Sequence, residues 1–117
     1  VMAQVGDIRW VDPVVLTPFH NWQEDPSYLP FKVIGKADGS FELQGSIRNG
    51  TTTNGTALFN LGIGRVPPSY FKAVQAGSFN GTTYENVILQ MQPNGDVKFF
   101  GNTNTTNIFL DGITWKL

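Results

Sequence analysis

The sequence contains no cysteine and a single histidine, His20. Without cysteine the chain can form neither a disulfide framework nor a thiolate metal site. With one histidine it cannot assemble a histidine-rich zinc site, and a catalytic triad would have to use His20 without a nucleophile-elbow motif. The neighbouring carboxylates of Glu24 and Asp25 would tend to point in different directions, which does not suit the carboxylate pair of a glycosidase. Other pairs, such as Asp25 with Glu85, stay open at this point. We therefore predict that the protein is not an enzyme and uses no cofactor or metal.

The chain also lacks an excess of charge and a long apolar run. Eight Lys and Arg residues stand against nine Asp and Glu, which gives a net charge of -1. No broad positive field would therefore attract nucleic acid or an anionic membrane surface. No apolar segment approaches the roughly 18 residues that a membrane-spanning helix needs. These absences argue against nucleic acid as a partner and against insertion into a membrane.

Turn-forming dipeptides, in contrast, are abundant. Asn or Asp before Gly tolerates the positive φ that a type I′ turn needs at both central residues, so each pair predicts a strand reversal. Six such pairs occur, most of them between short runs of apolar, aromatic or β-branched residues: Asp38-Gly39, Asn49-Gly50, Asn54-Gly55, Asn80-Gly81, Asn94-Gly95 and Asp111-Gly112. The pattern predicts an all-β fold with little or no helix, an antiparallel β-sandwich or Greek-key barrel of about eight or nine short strands.

The chain of 117 residues suits one domain. Residues 1–12 show no clear period and are predicted to be a linker or neck segment, and 13–117 form the β domain. Alternating apolar residues predict a strand over 41–48, and Pro67-Pro68 predicts an irregular crossover between the two sheets over 62–69. The predicted core consists of Phe31, Val33, Phe41, Leu43, Ile47, Phe59, Val87, Leu89, Val97, Phe99 and Trp115.

Several short motifs follow one another in a specific order from residue 13 onward. They are Asn21-Trp22, Phe31-Lys32-Val33, Glu42-Leu43-Gln44-Gly45, the polar stretch 50–56 leading into Leu58-Phe59, Val66-Pro67-Pro68, the stretch 93–97 and the closing stretch 109–115. In this order they resemble a module of tail and baseplate proteins from phages of Gram-positive bacteria, especially the C-terminal receptor-binding regions of siphophages. The closing stretch, Phe-Leu-Asp-Gly-Ile-Thr-Trp, is the most specific part of the resemblance.

The resemblance implies a compact β-sandwich or barrel that adheres to saccharides of the host cell wall. Such modules are commonly trimeric heads and are sometimes carbohydrate-binding inserts in other baseplate proteins. The resemblance therefore implies a homotrimer that contacts other tail or baseplate proteins. It also implies a place at the tail tip of a virion that is assembled in the host cytoplasm. Two alternatives stay open: a structural spacer domain of a tail without a ligand, and a carbohydrate-binding module of a secreted wall enzyme.

Side chains suited to a sugar concentrate in the proline-interrupted loop 18–30. Sugar recognition combines an aromatic face with carboxylate, amide or guanidinium groups that bond hydroxyls. The loop offers such groups within nine residues, namely His20, Trp22, Asp25 and Tyr28. We predict that they converge on one small pocket. The alternative is that Trp22 and Tyr28 pack as core aromatics while His20 and Asp25 form a local hydrogen bond.

Further candidates lie outside this loop. Arg48 ends the alternating strand, where its guanidinium fork could hold a carboxylate, a phosphate or a vicinal diol; the alternative is a solvated charge at a sheet edge. The predicted hairpin tip at 80–86 offers a second possible site with Asn80, Tyr84 and Glu85. Its alternative is an ordinary polar turn.

Overall fold

The computed structural model describes residues 11–62 and 67–116. Within these ranges the chain forms eleven β-strands and no helix, so none of the described segments is a helix that could cross a membrane. The strands are β1 (Val11–Val15), β2 (Gln23–Glu24), β3 (Lys32–Gly35), β4 (Ser40–Gln44), β5 (Ser46–Arg48), β6 (Thr56–Asn60), β7 (Lys72–Phe79), β8 (Tyr84–Met91), β9 (Asp96–Phe100), β10 (Asn107–Phe109) and β11 (Thr114–Lys116).

The strands form two antiparallel sheets, which confirms the predicted fold class. One sheet has four strands in the order β1-β3-β4-β11, and the other has seven in the order β2-β5-β10-β7-β8-β9-β6. The strand number exceeds the predicted eight or nine for two reasons. Loop 18–30 contains the two-residue strand β2, and the run 41–48 divides into β4 and β5.

The run 41–48 changes sheet at Gly45. β4 pairs with β3 and β11 in one sheet, whereas β5 pairs with β2 and β10 in the other. Gly45 has a φ of +109°, and a Cβ atom there would lie 2.9 Å from the Cα of Phe31. The prediction of one continuous strand over 41–48 is therefore wrong, because the chain turns a tight corner that only glycine accommodates.

Loop 18–22 connects the two edges of the seven-stranded sheet. The N–H of Phe19 donates to the C=O of Leu58 in β6, at one edge, at 2.7 Å. Four residues later Gln23 opens β2, at the other edge. Since consecutive Cα atoms are about 3.8 Å apart, so short a connection requires the sheet to curl until its edges approach each other. The architecture is a sandwich whose larger sheet is curled towards a barrel.

Three of the six Asx-Gly pairs form hairpins, between β3 and β4, β7 and β8, and β8 and β9. The predicted type I′ geometry is wrong for them, because only the glycine of each pair has a positive φ. In the β3–β4 turn, Gly39 N–H donates to Lys36 O and Lys36 N–H donates to Ser40 O. This is the pattern of a type I turn followed by a glycine bulge.

The other three Asx-Gly pairs and the predicted crossover join strands that are not neighbours in one sheet. The loop with Asn49-Gly50 and Asn54-Gly55 leads from β5 to the far edge strand β6, and Asp111-Gly112 leads from β10 to β11 in the other sheet. The crossover predicted over 62–69 joins β6 to β7, which both belong to the seven-stranded sheet. The prediction that it passes between sheets is therefore wrong. Residues 63–66 of this segment lie outside the described residues.

β1 begins at Val11, slightly before the domain start predicted at residue 13. It is an edge strand, and its register with β3 shifts between Val11 and Val14. Pro13 lies in this irregular part. Proline has no N–H to donate to a regular ladder, so an irregular part of an edge strand is where it is tolerated. Residues 1–10 of the predicted linker lie outside the described residues.

The core lies between the two sheets and contains every residue predicted for it, none more than 3% exposed. Phe31, which precedes β3, meets Phe59 of β6 edge to face with ring centroids 4.9 Å apart. Phe41 and Trp115 stack at 5.8 Å on the neighbouring strands β4 and β11. Such pairs add on the order of 1 kcal/mol each to the burial of apolar surface. The core therefore holds the seven-stranded sheet in place from one side and leaves the opposite face of that sheet free of core packing.

Candidate functional site

Strand register aligns five residues from five neighbouring strands of the seven-stranded sheet. Ile47 and Ile108, the adjacent positions on β5 and β10, are fully buried. Because successive side chains of a strand point to opposite faces, the aligned residues lie on the face of the sheet turned away from the core, which we call the outer face. From β2 to β8 the aligned residues are Gln23, Arg48, Asn107, Phe79 and Tyr84.

Three aromatic rings, Tyr28, Phe109 and Tyr84, lie side by side on the outer face, and we call them the ring row. The ring centroid of Phe109, at the centre, is 5.6 Å from that of Tyr28 and 6.1 Å from that of Tyr84. Phe79 packs against Tyr84 at 4.8 Å. Tyr28 is 43% exposed and Tyr84 77% exposed. The ring row therefore presents aromatic surface to solvent.

The carboxylate of Asp25 is fixed beside the ring row. Its Oδ1 accepts the N–H of Ser27 at 3.0 Å and lies 3.9 Å from Nη1 of Arg48, and its Oδ2 accepts from Nδ2 of Asn107 at 3.3 Å. The backbone N–H of Asp25 donates to the C=O of Ser46 at 2.9 Å. Only 8% of the side chain is exposed. Asp25 therefore positions the neighbouring hydrogen-bond donors, and its own carboxylate has little surface accessible to a ligand.

Arg48 is held loosely and keeps donors available. Its side chain is 39% exposed, and its contact to Asp25 at 3.9 Å is too long for a direct hydrogen bond. The buried Nε–H of Arg48 has no acceptor among the described residues. A guanidinium carries five N–H donors in a rigid fork. The exposed part of this fork can therefore donate to a hydroxyl or another acceptor placed over the outer face.

Trp22 has a different environment from Asp25 and Tyr28. It is 4% exposed, its Nε1–H donates to the C=O of Thr51 at 3.0 Å, and its ring lies 6.3 Å from that of Phe99. A Cβ atom on Gly50 would fall 2.1 Å from Cγ of Trp22, so the glycine backbone lies directly against the indole. Trp22 thus packs as a core aromatic and has no face open to a ligand in this arrangement.

His20 belongs to the edge of the seven-stranded sheet. Its Nδ1 lies 2.7 Å from the C=O of Ala57 in β6, so Nδ1 carries the proton in this hydrogen bond. Together with the bond from Phe19 N–H to Leu58 O, this contact covers backbone acceptors of an edge strand. The polar group of His20 is engaged at β6 and does not join the ring row.

Asn80 and Glu85 lie close to Tyr84 in sequence but have other contacts. Oδ1 of Asn80 accepts the N–H groups of Thr82 and Thr83 at 2.8 and 2.7 Å, which stabilises the β7–β8 turn. Glu85 alternates with Tyr84, so it points to the opposite face of β8, and its Oε1 accepts from Nδ2 of Asn102 at 3.1 Å. Of the eight predicted site residues, the structure thus brings together Asp25, Tyr28, Arg48 and Tyr84.

The structure adds three residues that sequence reasoning missed, namely Asn107, Phe109 and Phe79. A usable signal existed for Phe109, because Asn107 and Phe109 alternate with the buried Ile108 and Leu110. That period of two indicates that Phe109 points away from the core. The loop 18–30 and the hairpin tip at 80–86 are predicted as separate sites. In the structure they lie on either side of β10, and Tyr28 and Tyr84 both contact Phe109 of that strand.

Other parts of the described chain carry different features. An open cavity of about 320 Å³ near the start of β7 is lined by Pro68, Ser69, Tyr70, Phe71, Lys72 and Lys116. The side-chain hydroxyl and backbone N–H of Ser40 lower the pKa of Asp38, which lies in the β3–β4 turn away from the ring row. Within residues 11–62 and 67–116, no group of three or more His, Cys, Asp or Glu could hold a metal ion.

Comparison with known proteins adds one similarity in fold. No protein-family model matches the sequence, and no curated protein matches it significantly. Among solved structures, the fold is similar to that of the receptor binding protein (gp15) of Listeria phage PSA, with a TM-score of 0.70 and 21% sequence identity. The similarity covers 92% of this chain and 66% of that one. The two proteins share a β architecture, and this chain spans less than two thirds of the length of the phage protein.

Proposed function

We propose that this domain is an attachment module of a phage tail and reversibly binds a saccharide of a Gram-positive cell wall. One observation carries the proposal: three adjacent aromatic rings and the guanidinium of Arg48 lie together on a sheet face open to solvent. The similarity in fold to a protein named as a phage receptor binding protein supports it. So does the order of motifs along the sequence.

The geometry suggests how a sugar is held. The apolar C–H faces of sugar rings pack against the exposed rings of Tyr28 and Tyr84, while the sugar hydroxyls accept hydrogen bonds from Arg48 and exchange them with the tyrosine hydroxyls. Asp25 holds Asn107 and keeps Arg48 near the rings. Each of these contacts is worth on the order of 1 kcal/mol in an exposed site. A single domain therefore binds weakly and reversibly.

Avidity then comes from several copies acting together. Joining weak sites makes each further binding event intramolecular, which raises the overall affinity by about 10² to 10⁴ when the geometry allows. A homotrimer at the tail tip or baseplate, held by other tail proteins, would supply this multiplicity. The trimer and the place in the virion rest on the family resemblance, and adhesion needs neither catalysis nor a cofactor.

Cell labelling tests the proposal directly. The fluorescently tagged domain, as a monomer and as an engineered tetramer, is incubated with a panel of Gram-positive strains. We expect the tetramer to label some strains and not others, and Tyr84→Ala to abolish the labelling. Tyr70→Ala is the matched control, because Tyr70 is 84% exposed but lies near the opposite end of β7 from Phe79. Equal labelling by the Tyr84→Ala variant would exclude the ring row as the site.

A second candidate function is that of a structural spacer within a tail. Ile88 and Phe100 face each other across β8 and β9 on the outer face and are 39% and 37% exposed. Apolar residues placed together on a surface are typical of protein interfaces. If the domain is a spacer, we expect no multimer to label any strain. We also expect the domain to self-associate and Ile88→Lys to weaken that association. Strain-selective labelling would exclude a purely structural role.

A further inference from the structure

The ring row has the spacing of a chain of sugars. Its centroids are separated by steps of 5.6 and 6.1 Å, each comparable to the distance between successive rings of a linear glycan. Both end rings are exposed, Tyr28 by 43% and Tyr84 by 77%, so solvent reaches both ends of the row. A site for a terminal sugar would instead enclose its ligand in a pocket. The row therefore suits a chain that continues beyond the site at both ends.

The rings are tilted with respect to one another. The plane of Phe109 makes an angle of 45° with that of Tyr28 and of 38° with that of Tyr84. A crystalline glycan has a flat surface, which needs coplanar rings to stack on several sugars at once. A flexible chain can turn from one sugar to the next and follow the tilt. The geometry of the row thus favours a soluble, non-crystalline polymer.

Gly77 leaves room next to the central ring. In register it lies between Phe109 of β10 and Asn86 of β8. A Cβ atom at Gly77 would be 3.5 Å from Cδ2 of Phe109, which is ordinary van der Waals contact. Any bulkier side chain would project from the outer face beside that ring. The absence of a side chain at Gly77 keeps the path between Tyr28 and Tyr84 open.

We propose that the outer face binds an internal segment of a linear, non-crystalline wall polysaccharide, about three sugars long, and not a terminal sugar. This inference rests on the proposed function, since it specifies the ligand of the same site. Tyr28, Phe109 and Tyr84 each contact one sugar, and Arg48 supplies polar contacts beside them. Because the segment is internal, every repeat of the polymer offers a binding site.

The test measures affinity as a function of glycan length. Wall polysaccharide from each panel strain is partly hydrolysed and separated by size into pools from monosaccharides to hexasaccharides. Each pool is titrated into the full 117-residue chain, followed by calorimetry or by NMR. We expect the dissociation constant to fall by tenfold or more between monosaccharides and trisaccharides and to change little beyond. Crystalline chitin added as an insoluble probe should not retain the protein.

Two variants locate the effect on the ring row. Gly77→Val keeps all three rings and suits a strand, so it should fold while obstructing the path. We expect it to weaken trisaccharide binding at least fivefold, with Gly77→Ala close to wild type as the matched control. Tyr28→Ala should remove one sugar's contribution, so that disaccharides and trisaccharides bind equally well. Far-UV circular dichroism checks the fold of each variant.

The outcomes separate the two proposals. Equal affinity for monosaccharide and hexasaccharide pools, or undiminished binding by Gly77→Val, would overturn the internal-segment inference while leaving saccharide adhesion intact. Retention on crystalline chitin would overturn the non-crystalline part. No binding to any pool or strain would mean that the proposed function itself is wrong. If Gly77→Val changed the sedimentation coefficient and no pool bound, the outer face would be an interface between copies of the chain.

Discussion

The two halves of loop 18–30 each contain a large aromatic residue and a titratable side chain, but these lie in opposite environments. In the first half, Trp22 is buried and His20 is bonded to a backbone carbonyl of β6. In the second half, Tyr28 is exposed on the outer face, and Asp25 holds a neighbouring asparagine and arginine. The first half fastens the sheet edges together, and the second half supplies the candidate site.

Strand β2 explains the division. It lies between the two halves and pairs with β5, which moves the chain from the edge at β6 to the outer face beside Arg48. His20 and Trp22, which precede β2, meet an edge strand and the core, whereas Asp25 lies beside the ring row and Tyr28 belongs to it. Whether an aromatic residue of this loop is buried or exposed therefore depends on which face of the sheet the loop has reached. The following substitutions test that boundary.

Trp22→Ala should have the largest effect. It removes a buried indole and the hydrogen bond from Nε1 to Thr51, and the neighbouring backbone at Gly50 cannot fill the space. We expect a loss of about 3 to 5 kcal/mol in the free energy of unfolding, the range for a large aromatic in a core. Chemical denaturation measures it. A loss below about 1 kcal/mol would show that Trp22 is not part of the packed structure.

Gly50→Ala should have the next largest effect. The added methyl group would lie 2.1 to 2.2 Å from three ring atoms of Trp22, so the indole or the loop must move. We expect a cost of about 1 to 3 kcal/mol, as for an overpacked core. The double variant with Trp22→Ala should show strong coupling, with the glycine substitution nearly neutral once the indole is absent. Additive losses in this double-mutant cycle would contradict the close contact.

The sequence allowed the core and several turns to be predicted, because both depend on local patterns. Alternation identified Phe41 and Leu43 as core residues, and the dipeptide Asp38-Gly39 identified a reversal. The type of turn could not be predicted, because the same dipeptide fits both a type I′ turn and a type I turn with a bulge. The glycine in a bulge is the one residue with a positive φ.

The assembly of the site could not be predicted from local patterns. Tyr28 and Tyr84 belong to segments far apart in the sequence, and both contact Phe109 because β10 inserts between β5 and β7. A non-sequential strand order leaves no periodic signal in the chain. The same lack of information left two interpretations of Trp22 open, since burial of a loop aromatic depends on what the loop crosses.

Asp25→Ala should have an intermediate effect on both stability and binding. The N–H of Ser27 and the amide of Asn107 lose their acceptor, and Arg48 loses its charged neighbour. We expect a loss of about 1 to 3 kcal/mol in stability, because two part-buried hydrogen bonds to a carboxylate are lost, and weaker saccharide binding through a misplaced Arg48. Asp25→Asn, which retains one acceptor oxygen, should lose less stability. Weaker binding at unchanged stability would instead mean that the carboxylate contacts the ligand.

Tyr28→Ala should have the smallest effect on stability and still impair binding. Its ring is 43% exposed and touches Phe109 at the surface, so we expect a loss of at most about 1 kcal/mol in the free energy of unfolding. The same substitution should weaken saccharide binding about tenfold, equivalent to about 1.4 kcal/mol. Trp22→Ala is the matched control, since it should lower stability without lowering the affinity of the molecules that remain folded. If Tyr28→Ala cost more than about 2 kcal/mol in stability, the structural half of loop 18–30 would extend past β2, and the boundary proposed at that strand would be wrong.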